Sequence, residues 1–457
     1  MWFRRDLRLG DNPALVAAVE RARAEGDGEV VPLFVVDPLL WNASGTARLA
    51  YLHNSLDSLG ASIDRNLYIR YGDPRVIVPE VAALAGATQV HIAADFGPYG
   101  SRRDADVEQA LQSLTSPVEL VRTGSPYAVA PGRVLKADGT PYRVYTPFYK
   151  AWLAHGWRKP IAAPTEVAWT MPTECEGRPK PEAELAAVLP PAGEEAALIR
   201  WHEFLESAVT NYGDDRNRPD RSGTSRLSTA LKWGEIHPRT LLADLDDSAG
   251  AEVFAKEIAW REFYADVLHH NPTSAREPLD DKWRAFPWND GVDADRTFDA
   301  WRTGTTGFPI VDAGMRQLIA EGWMHNRVRM IVASFLVKDL HIDWRRGAAW
   351  FMRHLTDGDV ASNQQGWQWV AGSGTDAAPY YRIFNPVTQA LRFDPSGDYV
   401  RRYVPELRHI AGSAVHEPWL LLDGLSGGYP DRIVDHSVER DDAMARYELV
   451  KQAAKSE

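Results

Sequence analysis

At 457 residues, 44% of them apolar, the chain is long enough for about three domains of ordinary size and a substantial buried core. Its 34 glycines and 30 prolines are too few for a collagen-like or low-complexity chain. Its 51 Lys and Arg against 63 Asp and Glu, a formal charge of −12, argue against a uniformly basic nucleic-acid coat and leave room only for a local basic groove.

A single cysteine, Cys175, cannot form an internal disulfide, and no Cys/His cluster has metal-ligand spacing, so a reducing cytoplasm and a metal-free site are expected. The chain opens on Met1-Trp2-Phe3, which leaves room for only a stub of a first strand and suggests a natural start a few residues upstream. The charges of Arg4, Arg5, Asp6 and Arg8 follow at once and exclude the apolar core of a signal peptide. Residues 30–36 (VVPLFVV) are far short of the ~18 needed to span a bilayer, so no membrane partner is expected.

Residues 30–36, 67–71, 89–93 and 118–121 read as strands, and residues near 12–25, 46–62, 74–86 and 101–114 as helices. This alternation predicts an α/β domain over residues 1–122, a doubly wound, Rossmann-like parallel sheet. Strands buried on both faces explain why residues 30–36 show no polar alternation. Residues 123–195, rich in Pro, Gly and Thr, read as a long surface linker with a helix near 147–154 and Cys175 as a solvated loop thiol. From 196 to 457 the spacing is helical, at 196–210, 250–269, 309–321, 324–339 and 345–355, which predicts an all-α domain. That segment holds 12 of the 17 tryptophans.

Thr224-Ser225-Arg226-Leu227-Ser228 opens a helical run with three hydroxyls and a guanidinium, a pattern suited to phosphate. The ordinary alternative is an N-cap at Ser228. Phe254, Glu257, Trp260 and Arg261 have spacings that place them on one side of a helix. Trp323, Asn326, Arg329 and Met330 repeat the theme, and a buried face of that mixture needs polar partners. In residues 357–369, Asp357 and Asp359 flank a glycine, Asn363 follows, and Trp367 and Trp369 close the segment. A calcium loop would need further oxygen ligands where Val360, Ala361 and Trp367 stand.

The sequence resembles the photolyase/cryptochrome family, most closely class I cyclobutane pyrimidine dimer photolyases of bacteria. The resemblance runs from Trp2-Phe3-Arg4-Arg5-Asp6-Leu7-Arg8-Leu9-Gly10-Asp11-Asn12 through Gly322-Trp323-Met324-His325-Asn326-Arg327 and Thr375-Asp376-Ala377-Ala378-Pro379 to Arg382-Ile383-Phe384-Asn385-Pro386. It implies an antenna domain, a linker and a helical domain that binds both FAD and DNA. It also implies light-driven repair, by electron transfer from excited reduced FAD to a flipped-out dimer.

By resemblance, FAD contacts fall on Tyr212, Thr224, Ser225, Arg226, Leu227, Ser228, Glu257, Arg261, Trp323, Asn326, Arg329, Asp357, Asp359 and Asn363. Glu257 and Asn326 would hydrogen-bond the dimer, and Trp260, Met330 and Trp369 would wall it. Trp367, Trp344 and Trp288 match the family's photoreduction chain, and Arg216, Arg327 and Arg382 its phosphate contacts. Residues 316–346 hold six Lys or Arg against three acids, which reads as a basic patch for DNA. Pro98-Tyr99-Gly100-Ser101-Arg102-Arg103-Asp104 resembles the 8-hydroxy-5-deazaflavin type of antenna domain more than the folate type, with Arg5, Arg48 and Asp95 lining the chromophore pocket. The expected partner is ultraviolet-damaged DNA, and the protein is expected to act as a monomer. A cryptochrome-like photoreceptor is the alternative. A (6-4) photolyase would need a histidine pair where Asn326 and Met330 stand.

Overall fold

A computed structural model describes residues 1–26, 28–173, 178–180, 185–376 and 381–456. Cys175 and the Ala377–Pro379 part of one motif lie outside the described residues.

The N-terminal strands are β1 (Trp2–Phe3), β2 (Glu29–Val30), β3 (Leu33–Val36), β4 (Tyr68–Tyr71), β5 (Gln89–Ile92) and β6 (Glu119–Arg122), with β7 (Ala168–Trp169) added from further along the chain. Every ladder among them is parallel: β1-β3-β4, β5-β6 and β2-β7. β5 lies beside β1. The chain therefore winds outward from β1 in both directions, to β3 and β4 on one side and to β5 and β6 on the other, with helices Pro13–Glu25, Thr46–Ser62, Pro74–Leu84 and Pro98–Gln112 between the strands. Along β3, Phe34 and Val36 join Leu7, Leu15 and Leu52 on one face of the sheet, while Leu33 and Val35 join Trp2, Val78 and Ile92 on the other. Burial on both faces requires an unbroken apolar run.

Residues 30–36 do not form one strand as expected. Pro32 has no N–H to donate, and the chain changes partners there: Val30 pairs with Trp169 of β7, whereas Leu33 pairs with Trp2 of β1. The helix expected from 101 begins at Pro98, because a proline in the first turn gives up a hydrogen bond that a helix start lacks anyway.

The chain folds as two compact units. The first comprises Met1–Leu185, Leu189–Thr210 and Ser225–Pro272; the second comprises Ala186–Val188, Asn211–Thr224 and Thr273–Glu457. Within the first unit, the Pro-rich stretch after residue 122 is anchored to the Ala249–His270 helix. Glu262, buried on that helix, accepts hydrogen bonds from the Ala128 and Val129 N–H groups and from the Trp152 indole at 2.6 Å, and Asp266 accepts one from the Gly132 N–H at 2.7 Å. Burial pushes the Glu262 carboxyl up, and these donors pull it back. Glu262→Ala orphans three buried donors at about 1–3 kcal/mol each, so a loss of at least about 3 kcal/mol is expected in thermal or urea unfolding. Loss within about 1 kcal/mol of zero would show that the anchor is immaterial.

The second unit is helical around Trp301, Phe308, Phe335, Trp344, Phe351 and Trp367. Its principal helices include Pro309–Glu321, Asn326–Lys338, Trp344–His354 and Val360–Ala371. The last has no regular apolar stripe and is not apparent from periodicity. It is set by its ends: Asp359 accepts from the Ser362 N–H at 3.1 Å as N-cap, and Gly372 closes it at φ 84.

Candidate functional site

Each unit carries part of the expected residue set. In the first, Ser248 caps the Ala249–His270 helix, which presents Phe254, Glu257, Trp260 and Arg261. Phe254 is buried against Trp201 and Phe204, with ring centroids 5.2 and 5.1 Å away. Glu257 is half-buried. Trp260, also half-buried, stacks on Tyr145 with centroids 3.7 Å apart and planes within 7° of parallel. The Tyr145 hydroxyl donates to the Lys256 carbonyl at 2.7 Å, so the indole is oriented by a residue from the Tyr145–His155 helix. Arg261 donates to the Pro126 and Leu231 carbonyls at 3.0 and 3.3 Å and lies 4.6 Å from the Tyr127 ring centroid.

Ser225, Arg226 and Leu227 lead into the short Ser228–Trp233 helix. Leu227, not Ser228, is its N-cap residue, and Ser225 Oγ accepts from the Leu227 N–H at 3.4 Å. Arg226 sits at φ 51, an uncommon place for a residue with a Cβ. At the other end, Gly234 has φ 70, and a Cβ there would lie 1.9 Å from the Arg5 carbonyl oxygen, so only glycine fits.

In the second unit, Tyr212 is buried and Thr224 half-buried. His325 Nδ1 accepts from the Arg327 N–H at 3.1 Å, which makes Asn326 the first residue of its helix and leaves it exposed. Trp323, Arg329 and Met330 are half-buried. Arg329 donates to the Met324 carbonyl at 2.8 Å and to Asp357 Oδ2 at 2.7 Å. Asp357 is buried, and its Oδ1 has no hydrogen-bond partner among the described residues. Asn363, also buried, donates both amide hydrogens, to the Ala348 carbonyl at 3.1 Å and to Gln364 Oε1 at 2.7 Å, so its own carbonyl oxygen is what it offers a ligand. Gln364, Gln365 and Gln368 from the same helix bond the Ala275 carbonyl, Ser274 Oγ and the Ser274 and Glu277 carbonyls. Those glutamines were hidden in the sequence because their partners come from an irregular segment.

Trp367 is buried edge-on to Phe351 and Trp301, at 5.0 and 6.1 Å, and its indole N–H has no partner among the described residues. Gly347 permits this packing, since a Cβ on it would lie 2.2 Å from Trp367 Cη2. Trp344 is buried in the same core, and Trp288 packs against it from a half-buried position. No spacing rule ties Trp301 to Trp367, so its place in the cluster is a finding of the fold alone.

The basic patch expected over residues 316–346 does not form. Arg316 pairs with Glu406, Arg329 with Asp357, Arg345 with Asp343 and Arg346 with Asp295, while Lys338 is buried. Charges within one stretch of sequence point in several directions around their helices, and carboxylates from elsewhere meet Arg316, Arg329 and Arg346. The groove that forms is different. Arg327, Arg382, Arg392 and Asn217 line a cavity of about 440 Å³. Arg327 donates to Asn217 Oδ1 at 3.1 and 2.8 Å, and Arg216, beside Asn217, lies over the Tyr212 ring at 6.0 Å. Arg382 lies 5.8 Å from the Trp369 ring centroid. Arg392 joins this groove without any sequence signal beyond its charge.

In the α/β part of the first unit, Asp95 accepts from the Gly97 N–H at 3.0 Å and pairs with Arg103 at 3.5 Å. Burial pushes its carboxyl up, but Arg5, Arg103, Arg4 and the Gly97 N–H outweigh that and hold it below its ordinary value. Arg48 is buried on the Thr46–Ser62 helix. One grouping departs from the expectation of no metal-ligand cluster: His341, Glu439 and Asp442 each bring a ligand atom within 4.8 Å of the others, although Arg446 already pairs with Asp442 at 2.9 Å.

Residues 1–166 match the family model described as DNA photolyase, and residues 254–449 that of the FAD binding domain of DNA photolyase. Over an alignment of 483 residues the chain is 39% identical to a deoxyribodipyrimidine photo-lyase of Synechococcus sp., covering 99% of this chain and 96% of that protein. The chain belongs to the DNA photolyase family. A class III photolyase from Agrobacterium tumefaciens matches this photolyase with a TM-score of 0.87 at 38% identity, over 99% of this chain and 97% of the other. A cryptochrome from Synechocystis sp. matches with a TM-score of 0.88 at 26% identity, over 97% and 98%. The photolyase thus has the expected fold class, with parallel α/β structure at its N-terminus and a helical FAD-binding domain. No helix among its described residues is long and apolar enough to cross a membrane.

Proposed function

We propose that this photolyase splits cyclobutane pyrimidine dimers in ultraviolet-damaged DNA under light. The observation that carries the reading is the contact of Arg382 with Trp369 at the edge of the Arg327–Arg392 groove. These two neighbouring side chains offer both a cation for backbone phosphate and an indole on which a displaced base can stack. Arg216, Arg327 and Arg382 are assigned to phosphates, contacts that are sequence-independent and salt-sensitive.

The residues present suit FAD. Asp357 Oδ1 is a buried acceptor in need of a donor, and Asn363 offers a carbonyl oxygen; the hydroxyl and N–H donors of FAD complement both. Thr224, Ser225, Arg226, Leu227 and Ser228, with Tyr212, are assigned to its phosphates. Asp357, Asp359 and Arg329 are assigned to its ribityl and ring edges, and Asn363 to N5. Arg261 and Trp323 are assigned to its surroundings. When bound, FAD supplies the photoexcited electron donor for repair.

Glu257 and Asn326 hydrogen-bond the dimer's carbonyl and imide groups and stabilise negative charge as it develops there. Trp369, Met330 and Trp260, which Tyr145 holds flat, are assigned as apolar walls for the dimer. A dimer within a duplex cannot reach such walls, so the lesion is flipped out. Trp367, Trp344 and Trp288 carry reducing electrons inward. Arg5, Arg48 and Asp95 hold an antenna chromophore of the 8-hydroxy-5-deazaflavin class in preference to folate.

The test uses flavin-loaded protein and ultraviolet-irradiated oligonucleotide. Dimers are expected to disappear in blue light and persist in darkness, with slower loss for Glu257→Ala. The similarity to a Synechocystis cryptochrome favours a photoreceptor as the second reading. Bleaching of the flavin by light without any loss of dimers would choose that reading instead.

A further inference from the structure

Behind Trp369 lies a separate cavity of about 100 Å³, lined by Lys282, Trp283, Ser334, Lys338, Trp369, Val370, Gly372, Tyr381, Arg382, Phe384 and Tyr447. No carboxylate among the described residues lines it. Lys338 is 3% exposed and has no ion pair among the described residues; its ammonium donates to the Arg382 carbonyl and lies 4.4 Å from the Tyr381 ring centroid. Two more donors on the wall, the Trp283 indole N–H and the Tyr381 hydroxyl, are buried without any hydrogen-bond partner among the described residues, at 3% and 9% exposure. Asp339, the nearest acid in sequence, hydrogen-bonds His436 instead.

Buried polar groups are normally satisfied, and a buried cation normally has a counter-charge. Here two unmatched donors and a lysine surround a space many times the ~10–15 Å³ that one water needs. We propose that this cavity binds one small inorganic oxyanion, of the size and charge of sulfate or phosphate, between Lys338, Trp283 and Tyr381.

The protonation of Lys338 agrees with this geometry. Burial pushes its amine down to about 7, with Asp339 raising it and Arg382 lowering it. The other titratable or charged groups around it are Lys282, Tyr381 and Tyr447 on the wall, and Arg446, which acts on Tyr381. Without a counter-ion the charged lysine is costly, so an anion raises its pKa and is bound together with a proton at any pH between the free and bound values. Occupancy also changes the charge behind Trp369. The proposal goes beyond dimer repair and does not depend on it.

The measurement is calorimetric titration of flavin-loaded protein with inorganic sulfate, which does not itself titrate near neutrality. Ionic strength is held constant with gluconate, too large to enter, and the pH is set about one unit above the Lys338 value. One saturating site per chain is expected, with proton uptake visible as a dependence of the heat on the buffer's ionisation enthalpy. Lys338→Met should weaken binding at least about tenfold and remove the proton uptake while keeping the flavin spectrum, and Tyr381→Phe should weaken it less. If Lys338→Met does not fold, Lys338→Arg serves: it keeps the charge at every pH, so binding should persist without proton uptake. Displacement of sulfate by undamaged DNA would identify backbone phosphate as the natural occupant, and persistence a free anion. No saturable heat, or binding unchanged in both Lys338→Met and Tyr381→Phe, would overturn the site.

Discussion

Trp367→Phe is expected to abolish light-driven reduction of the bound flavin while leaving repair by chemically reduced protein intact. Trp367 is buried edge-on to Phe351 and Trp301 in the core of the helical unit, and a phenylalanine fills most of its volume and keeps these ring contacts. What phenylalanine lacks is an indole that yields an electron readily, so packing survives and the relay fails. The measurement is the rate at which the flavin's blue absorption bleaches under light with an external reductant. Trp344→Phe should act in the same direction. An unchanged rate in Trp367→Phe would move the electron path elsewhere, with Trp301 as the nearest indole.

The second large effect concerns Asp357. Its Oδ2 accepts from Arg329 at 2.7 Å, and its buried Oδ1 awaits a donor. Asp357→Ala removes both acceptors and leaves a guanidinium without its buried partner, a change that typically costs about 3–5 kcal/mol. If about 3 kcal/mol of that falls on the flavin-bound state, affinity for FAD drops roughly 100-fold. Fluorescence of released flavin during dialysis measures this directly. Asp357→Asn keeps the shape and one acceptor and should lie between the two. Full retention of FAD by Asp357→Ala would remove the residue from the cofactor's surroundings.

The two expectations differ in how they could be read. The Asp357-Gly358-Asp359 motif stands out in the sequence, but not which acid does what. Asp359 also accepts from the Ser362 N–H at the helix start through Oδ1, while Asp357 meets Arg329 through Oδ2. Which of the two acids also caps a helix is decided by backbone direction at one turn, which residue identity does not encode. The basic patch failed for a related reason. Arg316, Arg345 and Arg346 fall within one 31-residue stretch, yet Glu406, Asp343 and Asp295 occupy them, and the groove gathers Arg327, Arg382 and Arg392 instead.

The sequence by itself determined the elements whose information is local. Apolar runs buried on both faces gave the parallel strands, and 3.6-residue spacing gave helices such as Pro309–Glu321. Motifs such as Gly322-Trp323-Met324-His325-Asn326-Arg327 carry the family resemblance in the residues themselves. Tertiary structure alone decided what depends on residues far apart in the chain: Tyr145 flat against Trp260, Glu262 holding the segment around Ala128, Pro32 handing the chain from one strand partner to another, and a lysine enclosed by donors. Periodicity reports which face of an element is buried, whereas the identity of the group across the contact is set only when the elements pack.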